Sequence, residues 1–326
     1  VKDYLLYEWQ VNPIYNASYK ESVIPDDSLE YLVPSNPRLK ELQSRYSTFN
    51  KEVTVPSLWT EDYVSPNDIL YFRGDNAYVY QQRQGCKELN MNILSYGLTT
   101  YYVKSRDKLG LLEKLREDDL FGIYTFSIDD KLVSRDLLDS INEIYFLEKH
   151  LNISASKDVT ILDIGAGYGR LAHRMLNALP NIAQYICTDA FPVSSFISDY
   201  YLRFRNLESR AKAVPLDEIE RVLQNTPVDI AINIHSFPEC TLSAIEWWIS
   251  ILAKYRIKNF MIVPNMLLPN THELLTMDGI YFGNIIEKYG YELIAREPKY
   301  GDSFVQSYGV NPSYYYLFEL RNAKSA

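Results

Sequence analysis

The chain has 326 residues, 47% hydrophobic and 23% charged, a balance that excludes disordered, collagen-like and low-complexity chains and leaves room for two domains. Lys plus Arg number 33 and Asp plus Glu 42, so the net charge is −9 and no general attraction to nucleic acid or anionic lipid is expected. The densest apolar run, Ala244 to Ala253, is broken by Glu246 and Ser250, and none reaches the ~18 residues of a membrane span.

In chain order, Pro13, Pro25, Pro34, Pro37, Pro56 and Pro66 punctuate the first seventy residues and keep helices there short. Val1-Lys2-Asp3-Tyr4 shows no signal-peptide pattern. A stronger helical pattern lies within Asp129 to Leu151, where Leu137, Leu138, Ile141, Ile144, Tyr145 and Leu147 form one apolar face. From Val159 the chain alternates strands and helices. Val159–Ile164, Tyr185–Thr188, Val228–Ile234 and Asn259–Val263 read as strands. Arg170 to Leu179, a stretch through Asp199 to Phe204, Leu242 to Tyr255 and Ile280 to Tyr289 read as helices. Tyr291 to Ala295 and Tyr314 to Leu320 resemble antiparallel closing strands. The expected fold class is therefore α/β: a mostly parallel sheet with an antiparallel last strand and helices on both faces, over residues 129–326. Residues 1–128 form an irregular, mostly helical N-terminal domain.

The most informative stretch is Asp163-Ile164-Gly165-Ala166-Gly167-Tyr168-Gly169, at the end of the first of these strands and the start of a helix. Ligands bind at such carboxyl ends, and glycine lets them approach the backbone. Dinucleotide sites use G-x-G-x-x-G, whose helix N-terminus receives a pyrophosphate. Here the spacing is D-x-G-x-G-x-G, and a carboxylate two residues before the first glycine would repel a pyrophosphate but suit an amino group. Asp189 follows the strand Tyr185–Thr188.

Ile161 to Gly169 resembles motif I of class I methyltransferases, which implies a Rossmann-like methyltransferase sheet and S-adenosyl-L-methionine as cofactor, with S-adenosyl-L-homocysteine as product. By that resemblance Asp163, Gly165, Ala166, Gly167 and Gly169 hold the methionine end, Asp189 binds the ribose hydroxyls and Phe191 packs on adenine. Arg135 is a candidate for the cofactor carboxylate. A narrower resemblance, carried by Tyr71-Phe72-Arg73-Gly74-Asp75-Asn76, Ser134 to Ser140 and Asn233-Ile234-His235-Ser236-Phe237-Pro238-Glu239, is to bacterial sugar O-methyltransferases. It implies a sugar or nucleotide-sugar acceptor and an N-terminal domain that covers the acceptor pocket. The 28 tyrosines suit sugar faces and serve equally as packing residues.

Methyl transfer to a hydroxyl needs alignment and proton removal. His235 stands just after the strand Val228–Ile234, and an imidazole with its ordinary pKa of about 6.5 can take a proton at neutral pH. It reads as the general base, as an acceptor contact or as a structural cap. Glu239 could orient the ring, bond a sugar hydroxyl or lie solvated. Arg73, Asn76, Tyr78 and His272 are acceptor-binding candidates; a solvated turn about Gly74 accounts equally for the first three. Glu239 is the one obvious acid near that strand end, so no metal is expected. Cys86, Cys187 and Cys240 lack metal spacing and read as reduced thiols in a cytoplasmic protein. Two other readings stay open: methylation of another small molecule such as a natural product, and a non-catalytic binding protein on the same fold. A nucleic-acid substrate is not expected, since no paired prolines and aromatic follow Asn233. A homo-oligomer is left open.

Overall fold

The computed structural model describes residues 23–54, 66–74, 91–265 and 273–321. They fall into two compact units: Val1–Val33, Val64–Tyr145 and Tyr300–Pro312 form one, and Pro34–Tyr63, Phe146–Lys299 and Ser313–Ala326 the other.

The first unit is mostly helical, with helices Asp26–Tyr31, Met91–Lys104, Leu111–Lys114 and Ser303–Tyr308. Strands β1 (Phe126–Ile128) and β2 (Lys131–Val133) form an antiparallel hairpin. The helical pattern read within Asp129 to Leu151 is a helix from Arg135 to Leu151. Asp129 and Asp130 take positive φ values of 49° and 60°, the two left-handed positions of a tight hairpin turn, which short polar side chains tolerate. Ser134 then caps the helix, its hydroxyl accepting from Leu137 N–H at 3.0 Å.

The second unit is built on seven strands: β3 (Val159–Ile164), β4 (Ile182–Thr188), β5 (Ala211–Ala213), β6 (Ile230–Ile234), β7 (Asn259–Val263), β8 (Tyr291–Pro298) and β9 (Tyr314–Leu320). They lie in the order β5-β4-β3-β6-β7-β9-β8. The pairs from β5 to β7 are parallel, and β9 is antiparallel to both β7 and β8. This is the mostly parallel α/β sheet with an antiparallel last strand that the alternating pattern implies. Every residue of β3 is buried, so both of its faces are covered, which is why its sequence is mostly apolar rather than alternating. Ile161, Leu162, Ala231, Ile232, Phe260, Met261 and Ile262 are at 0% exposure and form the core. Each large side chain among them contributes about 1.5–3 kcal/mol by leaving water.

From β3 the chain winds one way to β4 and β5, and β6 starts the other half, so the β3/β6 boundary is the topological switch point. The loops after these strands flank a crevice where such sheets take ligands. Helices Pro37–Thr48 and Lys51–Thr54 also belong to this unit. No helix among the described residues is long and apolar enough to cross a membrane.

Candidate functional site

The loop after β3 turns on three glycines. Gly165, Gly167 and Gly169 have φ of +73°, +56° and +86°. The N–H groups of Gly165 and Ala166 donate to the Thr188 carbonyl at 2.9 and 3.1 Å, which ties the loop to the end of β4. A Cβ at Gly165 would collide with the Cβ and Oγ of Ser236, so only glycine lets the two strand-end loops meet there. A Cβ at Gly167 would meet nothing within 4 Å, leaving open space above that backbone. Gly169 precedes the helix Arg170–Ala178.

Asp189 stands just beyond β4, half-buried. One carboxylate oxygen accepts from Gly167 N–H at 3.0 Å and the other from Phe191 N–H at 2.8 Å. Burial pushes this carboxyl up to about 6, against the opposing pull of the two N–H donors. The structure thus brings Asp189 and the glycine loop together and sets Phe191 two residues on, at the start of the helix Pro192–Phe204. Asp163, 4% exposed, accepts from the Tyr185 hydroxyl at 2.9 Å.

After β6, His235 adopts a left-handed backbone with φ +65°, and its N–H donates to Val263 C=O at 2.7 Å. A non-glycine residue there carries strain of order 1–3 kcal/mol, a cost that concentrates at functional sites. Two asparagines fix this loop. Asn233, fully buried, donates to Ile164 C=O at 2.9 Å and accepts from Phe237 N–H at 3.0 Å. Asn265 donates to His235 C=O at 3.0 Å and to the Glu239 carboxylate at 2.7 Å. Glu239 is therefore oriented by Asn265. His235 and Glu239 thus share one loop with one anchor.

Arg135 and Arg73 lie in the first unit. Arg135 opens its helix with its guanidinium 3.8 Å from Asp136 and 4.0 Å from Asp139. The Arg73 side chain is fully buried; it pairs with Glu117 at 2.7 Å and also with Asp118. Ser134 donates to the same Glu117 carboxylate. Asn76, Tyr78 and His272 lie outside the described residues. Among the described residues no group of three or more His, Cys, Asp or Glu is placed to hold a metal ion.

Sequence reading assigned no role to Asn233, Asn265, Ser236 or Tyr185. The first three stand beside His235 or directly after β7, so a polar residue at a strand end was the available signal. Tyr185 carried none, because a strand tyrosine is ordinary packing until its partner is seen.

No family model matches the chain, and no curated protein matches it. The chain is similar to the mitomycin 7-O-methyltransferase MmcR at 18% identity and a TM-score of 0.38, over 57% of this chain and 57% of that one. It is similar to a SAM-dependent methyltransferase from Aquifex aeolicus at 12% identity and a TM-score of 0.42, over 55% of this chain and 89% of that one. An S-adenosylmethionine-dependent methyltransferase from Clostridium acetobutylicum is similar at 10% identity and a TM-score of 0.41, over 56% of this chain and 91% of that one.

Proposed function

We propose that the chain is an S-adenosyl-L-methionine-dependent O-methyltransferase that acts on a sugar hydroxyl, in a nucleotide sugar or a glycan. The observation that carries the cofactor reading is the hydrogen bond from Gly167 N–H to Asp189, which joins the glycine loop to an acid at the end of the neighbouring strand. The residues fit such a cofactor. The open backbone at Gly167 admits it closely, and the Asp189 oxygens, each holding one N–H, keep lone pairs for two ribose hydroxyls. Phe191 offers a ring for adenine, and Asp163 sets a carboxyl group two residues before Gly165 for an amino group. When bound, the cofactor supplies an electrophilic methyl group.

The protein's own work is alignment and proton removal. His235, half-exposed on a strained turn, takes the proton from the attacking hydroxyl as general base. Asn265 holds its carbonyl and the Glu239 carboxylate, so the His235 backbone and a hydroxyl-binding acid are tied to one amide. The sugar class is supported by the resemblance of Tyr71–Asn76 and Asn233–Glu239 to the bacterial sugar enzymes.

The test is methyl transfer from labelled S-adenosyl-L-methionine to a panel of monosaccharides, nucleotide sugars, phenols and carboxylates, followed by mass spectrometry of the products. A methylated sugar is expected, with His235→Gln slower by about 10²–10⁴-fold and cofactor affinity unchanged. Transfer to phenols or carboxylates with every sugar left unmodified would overturn the sugar assignment. An unaffected His235→Gln rate would overturn the base.

A further inference from the structure

The helix Pro37–Thr48 starts with Asn36 as cap, accepting from Arg38 N–H at 2.9 Å, and carries Pro37 in its first turn. Leu39, Leu42 and Tyr46, at helical spacing, are 3%, 1% and 3% exposed, so they form the face that packs. Arg45 binds the Asp217 carboxylate through two nitrogens at 2.9 Å each and Glu218 at 2.6 Å. Just beyond, Phe49 meets the edge of Trp247 with ring centroids 6.2 Å apart, and the Glu52 carbonyl accepts from the Thr241 hydroxyl at 3.3 Å. Residues 45–52 therefore touch segments that follow β5 and β6 at the ligand-binding edge of the sheet, and Tyr46 extends this to β4.

The Tyr46 hydroxyl accepts from the Leu216 N–H at 2.8 Å and lies 2.9 Å from Ser195 Oγ. Ser195 Oγ donates in turn to the Asp189 carbonyl at 3.4 Å. The serine has one hydroxyl proton, and it goes to Asp189, so Tyr46 donates to Ser195. The bonds run in one direction: Leu216 N–H to Tyr46, Tyr46 to Ser195, Ser195 to the backbone of Asp189. Leu216 and Ser195 are 0% and 5% exposed, so solvent does not replace these partners. Burial pushes the Tyr46 phenol up to about 12, with the charge of Asp189 acting in the same direction, so it remains a proton donor at neutral pH.

We propose that Tyr46 is a positioning residue of the cofactor site: it acts through Ser195 on the loop that carries Asp189, and the helix Pro37–Thr48 is a working part of that site. This rests on the cofactor reading above and extends it to a segment that the proline-rich pattern placed in a separate N-terminal domain. A ring alone would fill the same volume; the bonds of the hydroxyl go to Ser195, in the helix after β4, and to the Leu216 backbone, in the segment after β5.

The experiment is calorimetric titration of wild type, Tyr46→Phe, Ser195→Ala, the double variant and Arg38→Gln with S-adenosyl-L-homocysteine. Thermal melts without ligand establish a temperature at which all five are folded. Arg38 lies on the same helix and its side chain pairs with Glu41 inside that helix, so its variant is a control for a change on the helix away from the Tyr46–Ser195 bonds. Tyr46→Phe and Ser195→Ala are each expected to bind about fivefold more weakly, and the double variant no more weakly than either, because both cut one chain of bonds. Arg38→Gln binds as wild type. Wild-type affinity in Tyr46→Phe, or losses that multiply in the double variant, would overturn the proposal while leaving the cofactor reading intact. Wild-type protein that is folded and binds no adenosyl ligand overturns both.

Discussion

Gly165→Ala separates two costs that the geometry of the site makes distinct. Gly165 has φ +73°, a left-handed conformation that costs an alanine about 1–2 kcal/mol. Its added methyl would also sit inside the van der Waals shell of Ser236 Cβ, an atom fixed to the His235 loop that cannot swing aside. Forcing a methyl into a filled space costs about 1–3 kcal/mol, so the expected loss is about 2–5 kcal/mol. Gly167→Ala is the internal control: φ is +56°, nothing lies within 4 Å of the new carbon, and the expected loss is about 1 kcal/mol. Ser236→Gly in the Gly165→Ala background removes the obstructing atoms and should recover the packing part, leaving the conformational part. Urea denaturation of the four proteins measures all of this. Equal losses for Gly165→Ala and Gly167→Ala, or no recovery with Ser236→Gly, would refute the close approach of the two loops.

Three further outcomes follow from the described contacts. Asp189 is raised from 3.8 to about 6, so the folded protein binds more protons than the unfolded chain between about pH 4 and 6, and this group's contribution to stability is lost as pH rises through that window. Such a rise corresponds to about 3 kcal/mol, and solvent around a half-buried group reduces it to about 1–2 kcal/mol. Asp189→Asn should therefore gain that much on wild type between pH 4 and 7 in urea titrations, and a pH-independent difference would refute it. Arg73→Met removes the guanidinium that pairs with the buried Glu117 carboxylate and with Asp118, with an expected loss of about 3–5 kcal/mol in thermal or chemical denaturation. A loss below about 1 kcal/mol would show the pair to be solvated. Asn265→Ala removes the amide donor to the His235 carbonyl and to Glu239 together and should lower kcat about 10–100-fold with cofactor affinity unchanged; weakened cofactor binding at unchanged kcat would contradict this.

Much of the sheet could be read from the chain because its central strands are short, mostly apolar and β-branched runs. Val159–Ile164 stops at Gly165, and the bounds of β3, β7 and β9 coincide with those read from the residues. β5 was missed because Ala211-Lys212-Ala213 is three residues long and has no β-branched side chain; its place comes from pairing with β4. The helix expected from Ile280 begins at Gly283, since Tyr281 pairs in an isolated bridge with Leu275. At the site, local spacing sufficed for the glycine loop and Asp189, which lie at the ends of adjacent strands. It could not disclose Asn233, whose amide reaches sideways to the Ile164 carbonyl at the end of β3. Nor could it disclose Tyr46, whose partner Ser195 is 149 residues away. Arg73, grouped by sequence with Asn76 and Tyr78 as an acceptor candidate, pairs with Glu117 and Asp118, partners more than forty positions away that local spacing does not disclose.

The central claim is that the glycine loop and Asp189 together bind S-adenosyl-L-methionine. It is tested most directly by calorimetric titration of the folded protein with that compound and with S-adenosyl-L-homocysteine, alongside Asp189→Ala. Saturable binding of both by wild type, lost in the variant while its fold is retained, is the expected result. Absence of binding by folded wild type, or equal binding by Asp189→Ala, would contradict it.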